Sequence, residues 1–214
     1  MLREVPSYTL FTVLMVICLF AIAIAKSIAP KRFDEFVLVI GNSKYLKIYG
    51  KDQKFLDYYD GLLFLNLIIS SAIFFILCLQ SFTNEKEFNS TLVFKLVLGI
   101  GIFILAKVLL ERLIASLFEI DTIIDNYLFQ KISYKNYLGL LLLPINAILV
   151  FGITPTENII FGVIILLIIV NISGLFTTFK VYQNEIKNNL FYFILYLCAL
   201  EIAPYIIIYS IFSA

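Results

Sequence analysis

The chain has 214 residues, 62% of them hydrophobic and 14% charged, with a formal net charge of +1. An average soluble domain is roughly 25% charged, so this composition points to lipid as the solvent, and so small a net charge excludes bulk attraction to nucleic acid or acidic substrates. Histidine is absent, which removes the commonest general base and the commonest transition-metal ligand together.

About 20 apolar residues rising 1.5 Å each cross a roughly 30 Å hydrocarbon core. Six stretches approach or exceed that length, and together they predict an all-α polytopic transmembrane bundle forming one integral membrane domain over residues 1–214. Runs such as Ile159–Val170 are apolar throughout, unlike the alternating strands of a β-barrel. The first stretch is Tyr8–Ala25. Ala21-Ile22-Ala23 and Ala23-Ile24-Ala25 resemble signal-peptidase sites, but the run is longer than a signal core of about 7–15 residues and acidic Glu4 precedes it. An uncleaved first span is expected.

Residues 31–60 mix lysines with Phe33, Phe36, Tyr45, Leu46, Tyr49, Phe55, Tyr58 and Tyr59. Aromatic bodies with polar tips and snorkelling lysines favour the headgroup zone, so an interfacial segment is expected here. Gly41-Asn42-Ser43 marks a turn within it. Asp57-Tyr58-Tyr59-Asp60-Gly61 resembles the opening of the CDP-alcohol phosphotransferase signature. That chemistry needs an Ala-Arg pair after the glycine and further aspartates, whereas Leu62-Leu63-Phe64-Leu65-Asn66 follow and the next acid is Glu85. Acids favoured by a helix N-terminus are the better reading.

The second span is predicted at Gly61–Phe82, closed by a turn at Thr83-Asn84, and the third at Leu92–Leu113. Charges within a span each need a partner or a purpose, and the third carries Lys95, Lys107, Glu111 and Arg112. Lys107 and Glu111 are four apart and share a face, which permits a local ion pair. Gly99, Gly101 and Gly139 permit close helix approach. Leu113, Leu117, Ile120, Ile124 and Leu128 then recur at helical spacing. The third span is therefore expected to continue into a second interfacial segment over 114–136. Asp121 and Asp125 lie off that stripe. They lack the second acid-rich motif that a joint Mg²⁺ site would need, and read as solvated carboxylates.

The fourth span, Tyr137–Ile153, is the shortest and contains Pro144 and Asn146. After a Thr154-Pro155-Thr156 turn, Ile159–Phe179 forms the fifth, with Asn171 near mid-depth. Leu190–Phe212 is the sixth. Glu201 lies about 16 Å along it, near the midplane. Pro204 lacks an N–H and should free the carbonyl of Leu200 beside that carboxyl group. Lys107, Glu111, Asn146, Asn171 and Glu201 are thus expected to form an intramembrane polar cluster, with helix kinks at Pro144 and Pro204. Its purpose stays open between helix packing, each bond worth about 0.6–2 kcal/mol, and binding of a headgroup, an ion or a partner helix.

Thirteen of the sixteen Lys and Arg residues fall in or beside the first, third and fifth connections. The positive-inside rule then places those loops in the cytoplasm and both termini outside the inner membrane. Cys18, Cys78 and Cys198 each sit in a different apolar run. Their spacing fits no zinc pattern, and no phosphate loop or catalytic triad occurs. There is no internal repeat of the kind seen in inverted-repeat transporters.

The segment from Phe191 to Pro204, above all Tyr196-Leu197-Cys198-Ala199-Leu200-Glu201-Ile202-Ala203-Pro204, resembles the signature of an uncharacterised bacterial membrane family, domain of unknown function 4271. Tyr137-Leu138-Gly139 through Pro144 and the basic connection after the fifth span support the likeness. The resemblance implies an inner-membrane protein of Bacteroidota type and puts weight on Tyr196, Cys198, Glu201 and Pro204. It implies no activity.

Two classes of function follow. One is a non-catalytic component or scaffold in envelope biogenesis or secretion, favoured by short external loops and the lack of any nucleophile–base pair. The other is a small transporter or lipid-handling protein using Glu201 and Lys107. No cofactor, metal or nucleic acid is expected. The expected partners are the lipid bilayer and other proteins or further copies in the membrane.

Overall fold

A computed structural model describes residues 9–41, 44–50, 57–83, 90–117, 121–153 and 155–188. Among these residues there are no strands, and the helices in order are α1 (Thr9–Ile28), α2 (Pro30–Val37), α3 (Lys44–Tyr49), α4 (Tyr58–Thr83), α5 (Ser90–Leu117), α6 (Asp121–Ala147) and α7 (Glu157–Asn188). Local chemistry accounts for their ends. Pro30 occupies the first turn of α2, where its missing N–H costs nothing. The Asp57 carboxylate accepts from the Tyr59 N–H at 3.4 Å, capping α4 as a short acidic side chain does. Gly41 N–H donates to Leu38 O at 3.1 Å in a turn over residues 38–41, whereas Asn42 and Ser43 of the expected turn lie outside the described residues.

Five helices are long and apolar enough to cross a bilayer: Thr9–Ile28, Tyr58–Phe82, Thr91–Leu117, Ile124–Gly152 and Glu157–Gly174. The chain is therefore a polytopic helical protein. The expected sixth span, with Tyr196, Cys198, Glu201 and Pro204, lies outside the described residues.

The hub is α4. In its most apolar window 56% of residues are buried, against 11–33% in the other four. Tyr59, Leu63, Asn66, Ser70, Ile73 and Leu77 are all buried, at alternating steps of four and three. That is the seam spacing of helices packed at a shallow angle. α1 runs antiparallel to α4: Ala25 joins Tyr59 and Leu63 in one core cluster, while Met15 and Cys18 join Ile73 and Leu77 in another. α6 runs parallel to α4 and comes closest at Gly139. A Cβ on that residue would lie 2.6 Å from Leu67 Cα, so only glycine permits the approach. Gly174 of α7 likewise sits against the Tyr134 ring, where a Cβ would fall 2.7 Å away.

The structure departs from the sequence reading in three places. First, the apolar stripe from Leu113 to Leu128 does not belong to one helix. α5 ends at Leu117 and α6 begins at Asp121, so the polar segment leads into the fourth span and does not extend the third. Second, that span is not short. Its candidate crossing runs Ile124–Gly152, and in its first half Tyr127, Leu128, Phe129 and Gln130 are consecutive buried residues. Third, Phe33, Phe36, Tyr45, Leu46 and Tyr59 point into the bundle and form its core at the α2–α3 end. Their rings meet edge-on, Phe36 with Tyr45 at 5.5 Å and with Tyr59 at 6.3 Å, a geometry that satisfies aromatic quadrupoles.

The outward surface is apolar. Leu19 and Phe20 of α1, Phe94, Ile102 and Leu109 of α5, and Ile165, Ile169 and Phe176 of α7 are all exposed. Apolar faces of this extent suit contact with acyl chains or other spans.

Candidate functional site

Among the described residues, polar side chains pair with one another at three places within the bundle. The first locks α5 to α6. Glu111 is fully buried, and the Lys131 ammonium donates to its Oε1 at 2.6 Å. One turn before Glu111, Lys107 is 8% exposed. Closer to the end of α5 and the start of α6, Arg112 and Asp125 approach to 3.7 Å across the same pair of helices.

The second lies where α1, α4 and α6 meet. Asn146 Nδ2 donates to the Ser70 carbonyl at 2.9 Å. Ser70 Oγ donates to Asn66 Oδ1 at 3.3 Å and lies 3.9 Å from Cys18 Sγ. All four residues are buried. Asn146 also sits in a weakened stretch of helix. Pro144 precedes it by two residues, and the chain widens into a π-turn over Ile148–Gly152. Proline removes one ladder bond, and a π-turn shifts the ladder by a residue.

The third is a knot at the α2–α3 end. The Arg32 guanidinium donates to Asp57 and, at 2.8 Å, to Asp60. It lies 4.4 Å over the Tyr59 ring and 5.2 Å from that of Tyr49. Arg32 thus ties α2 to the capped start of α4. Burial pulls the Arg32 pKa down, but Tyr45, Asp60 and Asp57 outweigh it and hold the net value above the ordinary range, so the charge is permanent. Burial pushes the Tyr45 phenol up, Asp60 adds to the rise and Arg32 opposes it. Arg32 and Ser133 flank the Tyr45 hydroxyl without a well-formed hydrogen bond to it.

The expected single cluster is thus divided among the described residues. Lys107 and Glu111 lie on the α5–α6 face, and Asn146 lies at the α1–α4–α6 junction. Asn171 is exposed on α7 and joins neither, and Pro144 faces outward from α6. Glu201 and Pro204 lie outside the described residues. Sequence reasoning missed Lys131 and Arg32, which it counted only as loop cations, and passed over Asn66, Ser70, Ser133 and Asn136. The acids at 57 and 60 were the available clue to the knot.

Several buried polar atoms have no hydrogen-bond partner among the described residues. They include Asn66 Nδ2, Asn146 Oδ1, both amide atoms of Gln130 and of Asn136, Ser133 Oγ and the hydroxyls of Tyr45, Tyr59 and Tyr134. No group of three or more Cys, Asp or Glu side chains suited to a metal occurs among the described residues. Among the described residues the polar chemistry is neutral hydrogen bonding and ion pairing.

Nothing among curated proteins or solved structures matches this chain. A family model described as a domain of unknown function (DUF4271) matches residues 11–212, nearly the whole length. The chain therefore belongs to that family.

Proposed function

We propose that this protein is a non-catalytic multi-pass component of the bacterial inner membrane, a scaffold within an assembly for envelope biogenesis or secretion. The observation that carries this reading is the use made of its buried charge. Glu111 and Lys131 answer each other across α5 and α6, and Arg32 is engaged by Asp57 and Asp60. Charges spent on holding helices together are not available for turnover. The exposed apolar sides of α5 and α7 would then face lipid and partner spans. Lys26, Lys31, Arg32, Lys44, Arg112, Lys131 and Lys135 gather toward the α2–α3 end, which we place in the cytoplasm with both termini opposite.

The test is site-specific photo-crosslinking in cells from Ile102 of α5 and Ile169 of α7. A discrete protein adduct at either position is the expected result. Lipid adducts alone, together with solute movement by the purified protein in liposomes, would overturn the reading. A transporter or lipid-handling role is the second reading. It is favoured by the weakened stretch of α6 between Pro144 and Gly152 around buried Asn146, since irregular spans commonly line a cavity.

A further inference from the structure

At the junction of α1, α4 and α6 two buried amide atoms lack partners among the described residues. Asn66 Nδ2, a donor, and Asn146 Oδ1, an acceptor, are both buried without a partner, and both side chains hydrogen-bond groups of Ser70. A buried amide atom left unpaired costs about 1–3 kcal/mol, and the two flank one residue inside an otherwise apolar bundle. The unanswered donor disfavours a cation, and the unanswered acceptor disfavours an anion. A hydroxyl group satisfies both, accepting from Asn66 and donating to Asn146. Buried water typically takes two to four such partners, and Ser70 Oγ and Cys18 Sγ stand beside the pair.

We propose that Asn66, Ser70 and Asn146 form a binding site for a small neutral hydroxylic ligand, either a bound water or a short polyol. The interruption of α6 serves this site. Pro144 removes a ladder bond and the π-turn at Ile148–Gly152 resets the register, so the stretch bearing Asn146 can shift as the ligand binds. The site does not depend on the scaffold role and would operate with or without a partner protein.

The test uses full-length protein labelled with ¹⁵N-asparagine in lipid nanodiscs. The side-chain NH₂ signals of Asn66 and Asn146 are assigned by Asn66→Gln and Asn146→Gln, and cross-relaxation to water is measured with and without added glycerol. A water signal at Asn66 that survives glycerol identifies bound water as the ligand. A saturable shift confined to Asn66 and Asn146 on adding glycerol identifies a polyol. In either case Asn146→Leu should abolish the effect at Asn66. Absence of both signals in the wild-type protein overturns the proposal. So would a higher melting temperature in both Asn66→Leu and Asn146→Leu, because a dry junction gains from losing orphan atoms.

Discussion

Lys131 reaches Glu111 across twenty positions of chain and donates to a carboxylate with no exposed surface. Removing one member of such a pair strands the other. Glu111→Ala should therefore destabilise the protein by about 2–4 kcal/mol, slightly less than a pair sealed on both sides. Pairing it with Lys131→Met should recover much of that loss. Thermal melts of the purified variants, run as a double-mutant cycle, provide the measurement. Equal and additive losses would deny the coupling.

Gly139 makes a second test. A methyl group there would lie 2.6 Å from Leu67 Cα, whereas a Cβ on Gly99 meets nothing within 4 Å. Gly139→Ala should force α4 and α6 apart at a cost of roughly 1–3 kcal/mol. Gly99→Ala should be neutral or slightly stabilising through helix propensity. Abundance in membranes and melting in detergent should rank the two in that order.

The Arg32 knot predicts a difference between two basic residues. Lysine keeps the charge but lacks the planar fork that meets Asp57 and Asp60 together. Arg32→Lys should lose part of the stability and Arg32→Gln more, about 2–3 kcal/mol, because Asp60 is then left poorly paired in a largely buried site. Limited proteolysis should report the change first at α2 and α3.

Alkaline pH should act through Tyr45. Its phenol ionises later in the folded protein than in the unfolded chain. Above the ordinary tyrosine range near pH 10, the unfolded state therefore sheds a proton that the folded state retains. Stability is complete below that range and falls as pH rises through it, by up to about 1.4 kcal/mol per pH unit for this group. Tyr45→Phe should flatten the decline in melting temperature between pH 9 and 11, and an unchanged slope would contradict the assignment.

The long apolar helices and the close approach at Gly139 were legible in the sequence because they depend on local composition or on the absence of a side chain. The partners of charged residues were not. Hydropathy records what a residue is made of, so Lys131 counted as a loop cation although its neighbours bury it inside α6. The stripe from Leu113 to Leu128 keeps helical spacing although its residues belong to two helices, with Leu113 and Leu117 exposed on α5 and Ile124 and Leu128 buried on α6; spacing alone does not show that one helix carries it. Arg32 and Asp57 are 25 positions apart, a pairing that exists only once α2 folds back on α4. Asn171 misled through depth alone. Its position along α7 was reasonable, but depth says nothing about which way a side chain faces.

The order of synthesis gives the hub an unusual wait. Asn66 and Ser70 enter the membrane with α4, yet Asn146, which binds the Ser70 carbonyl, is made 76 residues later. Until α6 arrives, the most enclosed helix of the finished protein must hold two polar side chains against lipid or against the insertion machinery. A chain cut short before residue 146 should therefore be recognised as incomplete and cleared, even though four of its long apolar helices have already begun to form.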